Sequence, residues 1–368
     1  MNKNPFRHGE AVGGDYFTDR YKEREFLLAE LSTGHNVLLS GPPQFGKSSL
    51  ARKVMSEFEQ RGVMSVYIDL DRAYSPAKFI EVYLAELLRA AFRQTKELRS
   101  FIQDLTPEVK KDLQLKVENN DELILDLNES SNLEAMASAV LELAQHTVDY
   151  KKRPCVVCFD EITMGGNLPA ALRERFAEVA QAHAGVGYLL VSLEPQLPKA
   201  GDNNWLSLPL DKIEDRYLKG FIKTRFENTG FRIVEPIIDE IIEMTYGHPH
   251  YTQMVCRQLW NQGIHGKIIT SKNLTQAIES ILEVNEEFYA FLWTDLSLHQ
   301  KNLMLALCRG GGQKIFSQDY VVRFGLGSFS TVQKSLNRLL ERQLVEKQKD
   351  QYAIRDMFFQ RWLTRRML

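Results

Sequence analysis

One run of residues, VLLSGPPQFGKS at positions 37–48, constrains the fold of this chain more than any other stretch. Its first three residues are apolar and predict a short buried strand, and residues 41–48 fit the phosphate-binding P-loop pattern G-x-x-x-x-G-K-[ST]. Residues 47–61 predict a helix directly after the loop. A strand, a glycine-rich turn and a helix in this order present backbone N–H groups and a positive helix end to a polyphosphate. We therefore expect an α/β domain built around a phosphate site.

The residues of this loop have distinct expected roles. Gly41 and Gly46 permit a backbone conformation that a side chain would not tolerate. Lys47 is expected to contact the β- and γ-phosphates and to contribute to catalysis, and the Ser48 hydroxyl is expected to coordinate Mg²⁺. The expected nucleotide contacts cover the whole loop and the residue after it, namely Gly41, Pro42, Pro43, Gln44, Phe45, Gly46, Lys47, Ser48 and Ser49.

A second apolar run, at residues 154–159, ends in the acidic pair Asp160 and Glu161. A continuous apolar run is typical of a buried parallel strand, and ligands bind at the carboxyl ends of such strands. Asp160 is expected to hold Mg²⁺, and Glu161 to polarise the attacking water as a general base. Cys155 and Cys158 in this run form a C-x-x-C, but strand residues three apart point to opposite faces, so we expect two buried thiols.

The charge of the chain is close to neutral but unevenly distributed. The formal net charge is −2, yet residues 295–368 carry a net +7, so the remainder carries −9. This asymmetry favours an anionic partner for the C-terminal part. No apolar run approaches the ~18 residues that span a bilayer, and the first ten residues contain no apolar signal core. We expect a cytoplasmic protein with no membrane contact.

Between residues 63 and 193, apolar strand patterns alternate with amphipathic helix patterns, which predicts a doubly wound parallel sheet. Residues 95–132 are charged and predict an inserted helical segment, and residues 195–209 predict a loop. We place this α/β domain at residues 1–208. Helical patterns then predict an all-α lid at residues 209–292.

The final segment, residues 293–368, has a different pattern: three helices followed by two short strands. This is the order of a winged helix, a relative of the helix-turn-helix. Residues 328–342 are its predicted recognition helix, with Val332, Leu336, Leu339 and Leu340 facing the core. The candidates for nucleic-acid contact on the polar side of this helix are Thr331, Lys334, Asn337 and Arg338.

The order of these parts resembles archaeal-type P-loop ATPases at the border of the AAA+ and STAND classes, which are related to the origin-recognition ATPases. The resemblance covers nearly the whole chain, including a Gly247-x-Pro249 motif between two predicted helices and an aromatic C-terminal stretch at residues 352–363. It implies that the stretch containing Asp19 and Arg20 packs beside the adenine, and that Pro249 brings the lid against the nucleotide.

The same resemblance places a polar sensor at Ser192, although many relatives have a basic residue near this strand end. It does not identify an arginine finger; Arg173, Arg175, Arg216 and Arg257 are all candidates. Such a finger accelerates hydrolysis by ~10³–10⁵ where it is known. Hydrolysis is therefore expected to be slow or to depend on a partner.

The leading hypothesis is a switch that binds ATP or ADP with Mg²⁺, hydrolyses ATP, and controls a winged helix that binds double-stranded DNA. The alternative is a STAND-type regulatory ATPase whose winged helix binds a protein, or docks on the acidic remainder of the chain, without touching nucleic acid. Self-association stays open in both hypotheses. A sensor without turnover is disfavoured by the Asp160–Glu161 pair, and a kinase by the lid and wing.

Overall fold

The computed structural model describes residues 3–9, 20–73, 75–105, 115–117, 123–125, 133–162, 170–193, 205–262, 267–348 and 350–368. These residues form two compact units. The first unit comprises Pro5–Phe221 and Gly247–Gln253, and the second comprises Met1–Asn4, Ile222–Tyr246 and Met254–Leu368. The domain limits near residues 208 and 292 remain a prediction.

The first unit is a parallel sheet covered by helices, which confirms the predicted doubly wound fold. Its strands are β1 (Asn36–Ser40), β2 (Met64–Asp69), a short antiparallel pair β3 (Leu115–Val117) and β4 (Leu123–Leu125), β5 (Cys155–Ile162), β6 (Val186–Ser192) and β7 (Trp205–Pro209). Its helices are α1 (Tyr21–Ser32), α2 (Lys47–Gln60), α3 (Pro76–Ala91), α4 (Thr95–Asp104), α5 (Leu133–Lys151) and α6 (Ala170–Ala182). The five main strands are parallel, in the order β2-β5-β6-β1-β7.

Alternate residues of β5 enter two different cores, because successive strand side chains point to opposite faces. Cys155, Val157 and Phe159 pack in the core that includes α3 and α5. Cys158 packs in the core on the other face, with α1 and α2. Both thiols are buried and unbonded, as predicted, and burial raises the pKa of Cys155 to about 12.

Two stretches differ from the sequence-based expectation. The end of the predicted loop at residues 195–209 contains β7, which pairs in parallel with β1. Its five residues end in Pro209, and β7 is an edge strand, where a missing N–H is tolerated. The predicted helical insertion at residues 95–132 is helical in α4 but contains the β3–β4 pair; its residues 106–114, 118–122 and 126–132 lie outside the described part.

The remaining elements include the predicted lid helices and the predicted winged helix. The boundary between the units falls within α7 (Asp215–Asn228) and near the start of α9 (Pro249–Asn261). The other elements are α8 (Glu235–Met244), α10 (Ser271–Val284), α11 (Glu286–Thr294), α12 (Leu298–Gly310), α13 (Gln318–Arg323), α14 (Phe329–Glu341), β8 (Val345–Gln348), β9 (Gln351–Ile354) and α15 (Met357–Met367). In the described part of the chain, no helix combines the length and the apolar character needed to cross a membrane.

Three consecutive glycines, residues 310–312 at the end of α12, allow strand β9 to pack against the end of this helix. The Tyr352 N–H of β9 donates to the Gly312 carbonyl over 3.1 Å. A Cβ on Gly312 would lie 1.5 Å from the Tyr352 carbonyl oxygen, so only glycine allows this approach. The wing is thereby fixed against the end of α12.

Helix α14 buries the face predicted for it, with one difference. Val332, Leu336 and Leu339 are buried, whereas Leu340 is only half-buried. Ser335 is also buried. It lies on the same face because it follows Val332 by three residues, about one helical turn.

Helix α11 is attached to the winged helix by aromatic and polar contacts with α15. The Tyr289 ring stacks on Phe359 with centroids 5.4 Å apart. The Trp362 indole donates to the Glu286 carboxylate over 2.7 Å, and Arg366 pairs with the same carboxylate at 2.9 Å. These contacts make α11 part of the same packed body as α15.

Candidate nucleotide-binding site

The loop between β1 and α2 has the conformation that the P-loop pattern predicts. Gly46 is the N-cap of α2 with φ 87°, in the left-handed region that favours glycine. Gly41 lies against the chain that follows β7, where an added Cβ would be 2.7 Å from the Leu210 carbonyl oxygen. Both glycines are therefore required by the backbone.

Lys47 begins α2 and folds back over its own loop. Its side chain is buried, and its ammonium donates to the carbonyls of Gly41 at 2.9 Å and Pro42 at 2.8 Å. These neutral acceptors hold the cation at the mouth of the loop. Phosphate oxygens reaching this position would replace these neutral acceptors with anionic ones and so pair the ammonium with a negative charge.

Ser48, Asp160 and Glu161 converge in space although they are far apart in sequence. The Ser48 hydroxyl oxygen lies 3.2 Å from Asp160 Oδ1 and 3.4 Å from Glu161 Oε1. The parallel sheet causes this convergence, because β5 ends at the same edge as the β1–α2 loop. Hydroxyl and carboxylate oxygens are the ligands that Mg²⁺ prefers, so this group of side chains fits the predicted metal.

Glu161 sits in an irregularity of β5. The pairing of β5 with β6 shifts register between Phe159 and Ile162, and Glu161 has φ 60°. A non-glycine residue in this conformation costs of order ~1–3 kcal/mol, and such residues cluster at active sites. The Glu161 N–H donates to Asp160 Oδ1 over 3.0 Å, which fixes the two acidic side chains relative to each other.

The electrostatics of the acidic pair suit proton transfer. Burial raises the pKa of Asp160, against opposing hydrogen bonds from Tyr67, Ser48 and the Glu161 N–H. Burial and the neighbouring Asp160 charge raise the pKa of Glu161, while the Lys47 ammonium opposes the rise. A carboxylate with a raised pKa is a better proton acceptor near neutral pH than an ordinary glutamate.

Two residues that were not predicted from the sequence hold the other carboxylate oxygen of Asp160, Oδ2. The Tyr67 hydroxyl of β2 donates to Asp160 Oδ2, and Arg52 Nε of α2 donates to the Tyr67 hydroxyl over 3.0 Å. Burial and the Asp160 charge raise the pKa of Tyr67, so this hydroxyl remains a donor. No motif marks either residue; the pairing of β2 with β5 brings Tyr67 to Asp160, and Arg52 reaches this pair from α2.

Replacing Tyr67 with Phe is expected to raise the Mg²⁺ concentration for half-maximal ATP hydrolysis by about tenfold or more. The change removes one hydrogen bond to a carboxylate, worth roughly 1.5–3 kcal/mol, and so weakens the orientation of Asp160. The measurement is steady-state phosphate release against Mg²⁺ at saturating ATP. Tyr352→Phe in the winged helix is the matched control; an unchanged Mg²⁺ dependence in Tyr67→Phe contradicts the positioning role.

Arg20 is buried at the start of α1 and connects three parts of the first unit. Its guanidinium pairs with Glu23 at 2.9 Å and donates to the carbonyls of Phe45 at 3.4 Å and Asp211 at 2.5 Å. It therefore fixes the P-loop to the chain after β7. Asp19, the other residue for which the resemblance implied an adenine contact, lies outside the described residues.

The Gly247-His248-Pro249 motif packs on the P-loop within the first unit. The rings of His248 and Phe45 meet edge to face with centroids 4.6 Å apart. Gly247 has φ 65°, and half-buried Pro249 begins α9 directly after it. The motif is thus both a helix break and a contact to the loop that Lys47 follows.

Ser192 is buried at the carboxyl end of β6, paired with Ser40 of β1 and Ile162 of β5. This is the edge where the P-loop and the acidic pair lie. Among the finger candidates, Arg175 pairs with Glu142 at 2.6 Å, and Arg216 pairs with Glu214 at 2.9 Å. The side chain of Arg173 lies outside the described part.

The candidates for nucleic-acid contact lie together on α14. Lys334, Asn337 and Arg338 are exposed, and Thr331 is half-buried beside the N-cap Ser328, whose hydroxyl lies 2.9 Å from the Thr331 hydroxyl. Neither cation is hydrogen-bonded or ion-paired to another described residue. The four residues form a polar face opposite the buried side of the helix.

Comparison with known families agrees with both parts of the chain. Residues 17–191 match the family model described as "AAA ATPase domain". The chain carries an AAA ATPase domain. Residues 287–365 match the model described as "Probable winged helix domain", so the AAA ATPase domain is followed by a winged helix, as predicted. The predicted ATPase class is therefore confirmed.

Several solved structures are similar to this chain over nearly its whole length. The Walker-type ATPase PABY2304 of Pyrococcus abyssi has 16% identity and TM-score 0.62, covering 95% of this chain and 97% of that one. Cdc6p of Pyrobaculum aerophilum has 14% identity and TM-score 0.46, over 96% and 98% of the two chains. The Thermotoga maritima RuvB Holliday junction branch migration motor has 13% identity and TM-score 0.42, over 92% and 93%. At these identities, the likeness concerns the fold alone. No curated protein matches this chain in sequence.

Proposed function

We propose that this protein is a cytoplasmic ATP-dependent switch whose nucleotide state controls the binding of double-stranded DNA by its winged helix. The observation that carries the nucleotide part is the meeting of Lys47, Ser48, Asp160 and Glu161 at one edge of the sheet. This set provides a cation for phosphates, oxygen ligands for a metal, and a base for water.

In the proposed site, the P-loop N–H groups and the N-terminus of α2 hold the phosphates of ATP or ADP. Lys47 leaves the carbonyls of Gly41 and Pro42 and contacts the β- and γ-phosphates. Ser48 and Asp160 would hold Mg²⁺, which would neutralise phosphate charge when bound. Arg20 and the His248–Phe45 contact keep the loop in place.

In the proposed hydrolysis, Glu161 orients a water molecule and accepts its proton as the water oxygen attacks the γ-phosphorus. The bond from phosphorus to the β-γ bridging oxygen breaks, leaving ADP and phosphate. Arg175 and Arg216 are engaged by carboxylates, which supports slow turnover until a partner supplies a cation. Ser192 is positioned to sense the change because it lies between the two strands that carry the site.

Support for DNA as the ligand of the winged helix comes from charge and exposure. Residues 295–368 carry a net +7, and the exposed side of α14 presents Lys334 and Arg338. Phosphate neutralisation by such cations supplies most non-specific affinity for DNA. A helix with an apolar buried side and a polar exposed side is suited to a groove of the duplex.

We expect the protein to bind a mixed-sequence duplex with an affinity that falls steeply as salt rises. The Lys334→Gln/Arg338→Gln variant should weaken binding by about tenfold or more at low salt and reduce the log–log salt slope by roughly 1 to 2, because each lost phosphate contact removes ~0.9 from the slope. Fluorescence anisotropy of labelled duplex measures both quantities, in ADP and in ATP.

The matched control is Arg232→Gln/Lys272→Gln, which removes two exposed cations from the same unit but away from α14. A control that behaves like the α14 variant, or binding that is insensitive to salt, contradicts the DNA proposal. That outcome favours the regulatory ATPase whose basic winged helix binds a protein or the acidic remainder of the chain. Equal duplex affinity in ADP and ATP contradicts the switch.

A further inference from the structure

A cavity of about 630 Å³ opens in the first unit, away from the nucleotide site. It lies where the end of α2, the start of β2, the α3–α4 connection and the end of α5 meet. Gly62, Val63 and Ser65 contribute from the α2–β2 connection and β2, and Arg153 from the residues before β5. The amino ends of β2 and β5 form this side, whereas the P-loop follows the carboxyl end of β1.

The lining of the cavity is predominantly basic. Its charged residues are five cations, Arg89, Arg93, Lys96, Lys151 and Arg153, against two carboxylates, Glu59 and Glu97. A concave surface lined mainly by one sign of charge concentrates the potential inside it. The excess of three positive charges makes this cavity attractive to an anion.

Three of these cations are held in place by the protein. Lys151 pairs with Glu97 at 2.5 Å and lies 5.1 Å from the centre of the Phe92 ring, which leaves it little exposed. Arg153 Nε donates to the Gly62 carbonyl over 3.1 Å, and Arg89 pairs with Glu86. Of the three, Lys151 is the covered cation, whereas Arg89 and Arg153 are exposed and reach the cavity from its rim.

Arg93 and Lys96 are different, because neither side chain is hydrogen-bonded or ion-paired to another described residue; the Lys96 backbone carbonyl accepts from the Ser100 hydroxyl. They flank Gln94, the N-cap of α4, whose side chain does not cap the helix. The first-turn N–H groups of α4 therefore face the same region as the two unengaged cations. A phosphate at this point would satisfy both sets of donors.

The size and the remaining walls of the cavity indicate more than an inorganic ion. Ala90, Ala91 and Val63 contribute apolar surface, and the Tyr150 ring packs against Phe101 with centroids 5.3 Å apart. The volume lies in the range of ~300–1,000 Å³ that holds small organic molecules, and Tyr150 with these three residues gives an apolar side beside the charged one.

We propose that this cavity is a second ligand site that binds a phosphorylated small molecule the size of a mononucleotide, with its phosphate at Arg93, Lys96 and the start of α4. The organic part would lie along Tyr150 and the two alanines. None of the residues that line the site belongs to the P-loop.

The test uses the full chain with Lys47→Ala, which removes the principal phosphate contact of the P-loop, and calorimetric titration with inorganic pyrophosphate and with AMP. We expect this variant still to bind each probe, pyrophosphate or AMP, at a single site, the cavity. Adding Arg93→Gln/Lys96→Gln should weaken both by about tenfold, since two exposed charge contacts together amount to roughly one decade of affinity. Adding Arg232→Gln/Lys272→Gln instead should change neither.

Three results would overturn this proposal: no heat from either probe at millimolar concentration, equal affinity in the Arg93→Gln/Lys96→Gln variant, or equal loss in the control variant. Binding of pyrophosphate without AMP would overturn the mononucleotide-sized ligand. Thermal melting of each variant identifies loss of folding. Because ATP binding at the P-loop is measured separately in the wild type, failure here leaves the proposed ATPase function standing, and the reverse also holds.

Discussion

Lys47→Ala is expected to lower the affinity for Mg²⁺–ATP by at least about 30-fold and to abolish measurable hydrolysis. The Lys47 ammonium is buried and already held over the loop by the carbonyls of Gly41 and Pro42. Removing one partner of a buried charge pair costs roughly 2–5 kcal/mol, which corresponds to a loss of about 30- to 5,000-fold. Displacement of a fluorescent ATP analogue by ATP measures the effect.

The matched control for this prediction is Lys53→Ala on the same helix. Lys53 lies in the second turn of α2, where its ammonium is 3.4 Å from Glu57, four residues later. Such an ion pair stabilises a helix by about 0.3–0.5 kcal/mol and contacts no part of the loop. We expect less than about a twofold change in ATP affinity. A Lys47→Ala protein that binds ATP normally would show that the P-loop lysine is not the phosphate ligand.

Glu161→Gln is expected to reduce kcat by about 10²–10⁴ while ATP affinity changes by no more than a few-fold. An amide has nearly the shape of the carboxylate and preserves the contact with Ser48, but it cannot accept a proton from water, and general-base catalysis contributes this much to the rate. The measurement combines steady-state phosphate release with ATP binding at equilibrium. The variant should therefore accumulate with ATP bound.

Glu227→Gln provides the comparison, because it removes an exposed carboxylate of α7 and should leave both quantities unchanged. If Glu161→Gln hydrolyses ATP within tenfold of the wild-type rate, another group must accept the proton. If instead it loses ATP binding together with thermal stability, the Glu161 carboxylate stabilises the folded site and does not act only as a base.

Motifs with short-range causes could be predicted from the sequence, and contacts that depend on strand order could not. The P-loop and the Asp160–Glu161 pair could be predicted because each is a contiguous sequence pattern that is typical of one local backbone conformation. Tyr67 reaches Asp160 only because β2 and β5 are neighbours, and a five-residue edge strand such as β7 leaves little periodicity in the sequence. The Lys47–carbonyl contacts likewise follow from the folded loop.

Arg20 has a structural role that the resemblance did not imply. The resemblance implied a contact with adenine, and the structure places its guanidinium on the Phe45 and Asp211 carbonyls. The sequence shows that a basic residue precedes α1, but it does not show what the guanidinium contacts. That contact depends on β7, which follows some 180 residues later and brings the Asp211 carbonyl to the loop.

The continuous packing of α10, α11 and α15 has a mechanical consequence. Asn285 both ends α10 and begins α11, so no flexible segment separates these helices. Because α11 is stacked on Phe359 and hydrogen-bonded to Trp362, α10, α11 and α15 are expected to move together. In the proposed switch, the winged helix is therefore expected to change its orientation together with α10 rather than to be released on a flexible tether.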